Sequence, residues 1–144
     1  MATDRRAEVT WHGSLMDGSG TIVSTTSNKL GEQAVSWANR SEDNPSATSP
    51  EELIAAAHAA CFSMALSNGL AQAGHAPEEL RTSATVTFQP GEGITKIALT
   101  VEGAVPGLDE SAFRDAAEDA KQNCPVSKAL ASVPEITLEA RLAA

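Results

Sequence analysis

Residues 50 to 73, PEELIAAAHAACFSMALSNGLAQA, constrain this chain more than any other stretch. Ser49 can cap a helix, Pro50 suits its first position, and Glu52 completes a capping box. The helix is predicted to run from Pro50 to about Ala73 and to stop at Gly74. Its first half is apolar on nearly every side, which implies burial all round. A chain of 144 residues can bury a real core but struggles to surround such a helix alone. A second copy would supply the missing cover, so the pattern predicts a homodimer. The run from Leu53 to Leu66 falls short of the ~18 apolar residues of a spanning helix. It reads as a buried core helix, with no membrane role.

The flanking segments read mostly as strands. Residues 7–13 and 20–26 alternate, with MDGSG between them as a hairpin turn. A third short strand is expected near Gln33 to Trp37. Residues 38–50, ANRSEDNPSATSP, are polar, hold two prolines and read as the longest structureless loop, with Arg40 in its first half. Residues 81–89 and 94–105 alternate around the turn PGEG. Asp109 can cap a helix to about Asn123, Cys124-Pro125 interrupts it, and VSKALA continues as a further helical segment. Residues 135–142 alternate again and complete the sheet. The whole, residues 1–144, reads as a single α+β domain.

The formal net charge is −9, and the ten Lys and Arg are scattered rather than striped. Nucleic acid and anionic membranes both favour a basic face, so neither is an expected partner. The N-terminus MATDRRAEVTWHG has no apolar signal-peptide core, which makes the cytoplasm the default compartment. There, two thiols point to catalysis or redox chemistry before a structural disulfide.

Taken alone, Cys61 fits a buried small hydrophobe better than a reactive thiol. Cys124, just before Pro125, can sit at a helix N-cap, where backbone amides favour thiolate. It fits equally a kink carrying an incidental thiol. The two cysteines form no CxxC pair. With His12, His58 and His75 scattered, they show no metal-ligand spacing, so no metal is expected. His58 lies one helical turn before Cys61. It can form either a Cys–His base pair, as a hydrolase would need, or a structural hydrogen bond.

The blocks SPEELIAAAHAACFSMALS (49–67), ITKIALTVEGAVPGLD (94–109) and NCPVSKAL (123–130) resemble the OsmC/Ohr family. These are the osmotically inducible protein C and organic hydroperoxide resistance proteins, and the resemblance covers essentially the whole chain. It implies an intertwined α+β homodimer, with antiparallel-rich sheets wrapped around long central helices and active sites at the subunit interface. It also implies a thiol peroxidase: Cys61 matches the peroxidatic cysteine and Cys124 the resolving one. Arg40 matches the arginine that activates the thiolate, and Glu51 the glutamate that orients that arginine. The Ohr branch carries its arginine in the turn between the first strands. Here that turn is MDGSG, so Arg40 fits the OsmC branch.

The chemistry implied is reduction of organic hydroperoxides through a Cys61 sulfenic acid and a Cys61–Cys124 disulfide. No cofactor is implied beyond an external reductant, a thiol or dithiol or a lipoylated protein. Ile54, Ala57, Phe62 and Met64 of the apolar helix are candidates to line the substrate pocket, some of them being plain core. Glu51 and Cys61 stand about 15 Å apart along one helix axis. Hence Arg40 and Glu51 are expected to complete the site of the partner subunit. The rival readings are a ligand-binding or redox-sensing dimer of the same fold, and the hydrolase using Cys61 and His58.

Overall fold

The computed structural model describes residues 1–143 except residue 44. It falls into two compact units, Met1–Glu51 and Glu52–Ala144, divided in the first turn of the long helix.

In the first unit, β1 (Ala7–His12), β2 (Ser19–Thr25) and β3 (Gln33–Val35) form an antiparallel meander in the order β1-β2-β3. Trp11 pairs with Gly20 across the first ladder. A Cβ at Gly20 would meet the Trp11 ring at 2.6 Å, so the indole lies where only glycine leaves room. The third strand is shorter than expected because Ser36 leaves the sheet to cap a helix. Its Oγ accepts from the Asn39 amide at 3.3 Å, starting α1 (Trp37–Ser41). The loop expected over residues 38–50 is therefore helical in its first turn. The remainder is tied back by Asn39, whose Oδ1 accepts from the amides of Ser46 at 2.9 Å and Ala47 at 3.1 Å.

The second unit is built on β4 (Glu79–Gln89), β5 (Gly93–Ala104) and β6 (Glu135–Leu142). The order is β4-β5-β6, antiparallel for the first pair and parallel for the second. The parallel step needs a crossover, and α3 (Glu110–Asn123) with α4 (Pro125–Ala129) provides it. Asp109 caps α3, its carboxylate accepting from the Ala112 amide at 2.8 Å. Every second residue from Ile97 of β5 to Val105, just past its end, is buried. Leu99, Val101 and Val105 form one core with Phe113, Ala117 and Ala120 of α3. Phe113 packs over Gly103, where a Cβ would meet its ring at 2.6 Å.

The long helix, α2, runs Pro50–Gln72. Taken over its full length it is long and apolar enough to cross a membrane, contrary to the expectation that counted only Leu53 to Leu66. Its packing is that of a core helix: Phe62, Leu66 and Leu70 lie in the same core as β5 and α3. These residues and His58 repeat every four positions and make one buried row. Burial all round does not occur within one chain. Ala56, Ala57 and Ala60 are exposed, and Met64 is 71% exposed.

Candidate active site

The first unit supplies an ion pair. Arg40, in the last turn of α1, donates from Nε to both carboxylate oxygens of Glu51, at 2.8 and 3.2 Å. The Glu51 side chain is 8% exposed and that of Arg40 35%. A carboxylate so deeply set needs its cation, because desolvation without a partner is costly. Sequence reasoning named both residues. It missed Ser36 and Asn39, which build the helix and loop that carry Arg40. The Ser-x-x-Asn spacing is their only local signal.

The second unit supplies the thiols. Cys61 on α2 is half-buried, Cys124 is fully buried, and both are free. Far apart in sequence, they interact with each other. Cys124 stands between two helices. Its amide donates to the Ala120 carbonyl at 2.8 Å, ending α3, and Pro125 opens α4 after it. Its sulfur makes no short capping bond.

The two thiols differ in acidity. Burial pushes Cys61 up first, and the hydrogen bond and charge of Cys124 push it further, with the Val126 amide partly offsetting them. No cation of this unit is among those causes. Burial also raises Cys124, but more weakly than its partners lower it. Those partners are the Cys61 thiol, the amide and hydroxyl of Ser127, and the Val126 amide. Within this unit Cys124 is thus the more easily ionised sulfur and Cys61 the proton donor. Burial and Cys124 thus disfavour the Cys61 thiolate, and a nearby positive group would favour it.

His58 does not serve Cys61. Its Nε2 bonds the Ser127 hydroxyl at 2.7 Å, and burial lowers its pKa so that the ring stays neutral. The structural hydrogen bond thus prevails over the Cys–His pair, and the hydrolase reading loses its base. Ser127 is a site residue that sequence reasoning passed over.

The four candidate pocket residues scatter. Phe62 is fully buried and is one of the candidates that belong to the core. Ile54 is half-buried, while Ala57 and Met64 are exposed. Met64 lines an open groove of about 620 Å³ with Ser67, Asn68, Ala71 and Leu80. A larger depression of about 940 Å³ is lined by charged residues such as Arg81, Glu102, Arg114 and Arg141, and neither thiol reaches it.

Comparison with known proteins gives a consistent result. The family model of OsmC-like proteins matches residues 42–139. The chain is 46% identical to "Peroxiredoxin OsmC" of Escherichia coli, over 99% of each chain. It is 32% identical to an "Organic hydroperoxide resistance protein" of Xanthomonas axonopodis, over 63% of this chain and 65% of that one. In fold it is similar to the crystal structure of an organic hydroperoxide resistance protein OsmC from Legionella pneumophila. That likeness has a TM-score of 0.67 at 21% identity, covering 96% of this chain and 97% of the other.

Proposed function

The chain belongs to the OsmC-like protein family, and from that premise we propose that it is a thiol peroxidase that reduces organic hydroperoxides to alcohols. The observation that carries the reading is the meeting of two free thiols from distant parts of the chain, one on α2 and one at the start of α4. The names of the relatives point the same way.

In the proposed cycle the Cys61 thiolate attacks the terminal peroxide oxygen. A sulfur–oxygen bond forms, the oxygen–oxygen bond breaks, and the alkoxide leaves as alcohol after protonation. Cys124 then attacks the Cys61 sulfenic acid, forming the disulfide and releasing water. An external dithiol, free or carried on a lipoylated protein, returns both sulfurs to thiols by exchange.

The cation that Cys61 requires is Arg40, held by Glu51 and contributed by the second copy of a homodimer. Support for that second copy comes from apolar surface that one chain leaves uncovered. Val9 is 54% exposed, Trp11 40% and Met64 71%. No basic patch or membrane partner enters the reading, and the cytoplasm is its compartment.

An apolar mouth formed around Ile54, Ala57 and Met64 would favour a substrate with an alkyl group, since apolar burial stabilises by about 25 cal/mol per Å². Steady-state kinetics with excess dithiol tests this. The expected result is a kcat/KM for cumene hydroperoxide at least about tenfold above that for hydrogen peroxide, the fold expected from burying roughly 50–60 Å². Equal or reversed efficiencies would count against an apolar substrate site.

A further inference from the structure

Two buried polar side chains of the second unit have no part in the peroxide step. His58 of α2 and Ser127 of α4 meet at 2.7 Å between Nε2 and Oγ. They are 0% and 7% exposed. The other ring nitrogen, Nδ1, is buried with no hydrogen-bond partner among the described residues. That asymmetry selects the tautomer. A buried N–H without an acceptor is rarer and costlier than an unpaired acceptor, so the ring proton sits on Nε2. Nε2–H then donates to the Ser127 oxygen, and the Ser127 hydroxyl keeps its own proton for a different acceptor. Ser127 lies three residues after Cys124, on the same side of the short helix that Cys124 begins. Its hydroxyl acts on the Cys124 sulfur.

We propose that His58 and Ser127 are positioning residues for disulfide formation: His58 Nε2–H orients Ser127, whose hydroxyl donates to the Cys124 thiolate and holds it toward oxidised Cys61. This rests on the two-cysteine cycle. In that step the Cys124 thiolate attacks the sulfenic sulfur of Cys61. The sulfur–sulfur bond forms, the sulfur–oxygen bond breaks, and hydroxide leaves. It takes up the proton that Cys124 had released, giving water. Cys124 is oxidised as the sulfenic sulfur is reduced, and His58 stays neutral throughout. The groups that act on the Cys124 thiol are Cys61 from α2, and the Ser127 hydroxyl with the Val126 and Ser127 amides from α4.

Titration of the Cys124 thiolate by its ultraviolet absorbance, in a Cys61→Ser background, tests the chain of bonds. Serine at 61 keeps a hydroxyl donor there and leaves Cys124 as the sole thiol. Ser127→Ala is expected to raise the titration midpoint by about one unit, a tenfold loss of thiolate at a fixed pH below the midpoint. His58→Phe is expected to shift it in the same direction. His58→Gln, whose amide can replace the Nε2 donor, is expected to restore most of the original midpoint. An unchanged midpoint in folded Ser127→Ala would overturn the proposal. Ser127→Ala removes a single oxygen, so it decides the question even if the larger change at His58 does not fold. The titration uses no peroxide, so its outcome does not depend on peroxidase activity. A parent protein that ignores hydroperoxide would refute the cycle, whereas a fixed midpoint would refute the role of His58 and Ser127.

Discussion

Cys61→Ser is expected to lower the rate of cumene hydroperoxide reduction by on the order of a thousandfold or more, to the level of the reductant alone. A hydroxyl does not ionise near neutral pH and cannot take up oxygen as a sulfenic acid, so the substitution removes the reaction rather than slowing it. Cys124→Ser is expected to behave differently. Its first turnover proceeds, because the peroxide meets Cys61 alone. The sulfenic acid then has no partner thiol in its own chain, and excess peroxide carries it to sulfinic acid. Stopped-flow measurement of the first turnover, with steady-state rates and intact mass alongside, separates the two variants. A parent protein that reduces no hydroperoxide beyond the reductant alone, and whose function survives Cys61→Ser, would favour the ligand-binding reading of the same fold.

Arg40→Met is expected to cost both stability and activity. It leaves the carboxylate of Glu51, 8% exposed, without its cation. The loss should be about 2–3 kcal/mol, below the range for a fully buried pair because the arginine is partly solvated. Urea denaturation measures it, and adding Glu51→Gln should recover most of the loss by removing the stranded charge. Under the proposed cycle activity should also fall with Arg40→Met, since Cys61, raised by its burial and by Cys124, would lose the cation proposed to favour its thiolate. If Arg40 serves the partner's cysteine, two inactive chains can restore each other. In a symmetric dimer, co-refolding equal amounts of Arg40→Met and Cys61→Ser makes half the dimers mixed, with one intact site in each. About a quarter of the wild-type activity should return. No return of activity, in mixtures where mixed dimers are present, would place Arg40 in the site of its own chain or in none.

Much of this fold was legible because its signals are local. Ser49-Pro50-Glu51-Glu52 starts a helix wherever it occurs, alternation marks β1, β2, β4, β5 and β6, and Pro125 breaks α3 from α4. The first turn of the polar loop was missed because α1 buries no residue, so it leaves no apolar period to read. The pocket residues on α2 were hard to choose for the opposite reason. A helix apolar on all sides carries no phase, and only its packing shows that Phe62 rather than Met64 faces the core.

The site divides along the same line. The Arg40–Glu51 pair was named through family resemblance, which carries residue identity across long spans of chain. The bond between His58 and Ser127 joins residues far apart in sequence, and no spacing rule announces it. The acidity order of the thiols was only partly readable. That burial raises Cys61 follows from its helix, and that amides act on Cys124 follows from Pro125 after it. That the Ser127 hydroxyl and Cys61 itself also act on Cys124 required the tertiary structure.

The most direct test of the two-thiol cycle is to treat the fully reduced protein, without oxygen, with one equivalent of cumene hydroperoxide. Free thiols are then counted and the peptides mapped by mass spectrometry. Both thiols should disappear together as an intrachain Cys61–Cys124 disulfide, with one alcohol formed per chain. Thiols that remain free, or a Cys61 oxidised without joining Cys124, would refute the cycle.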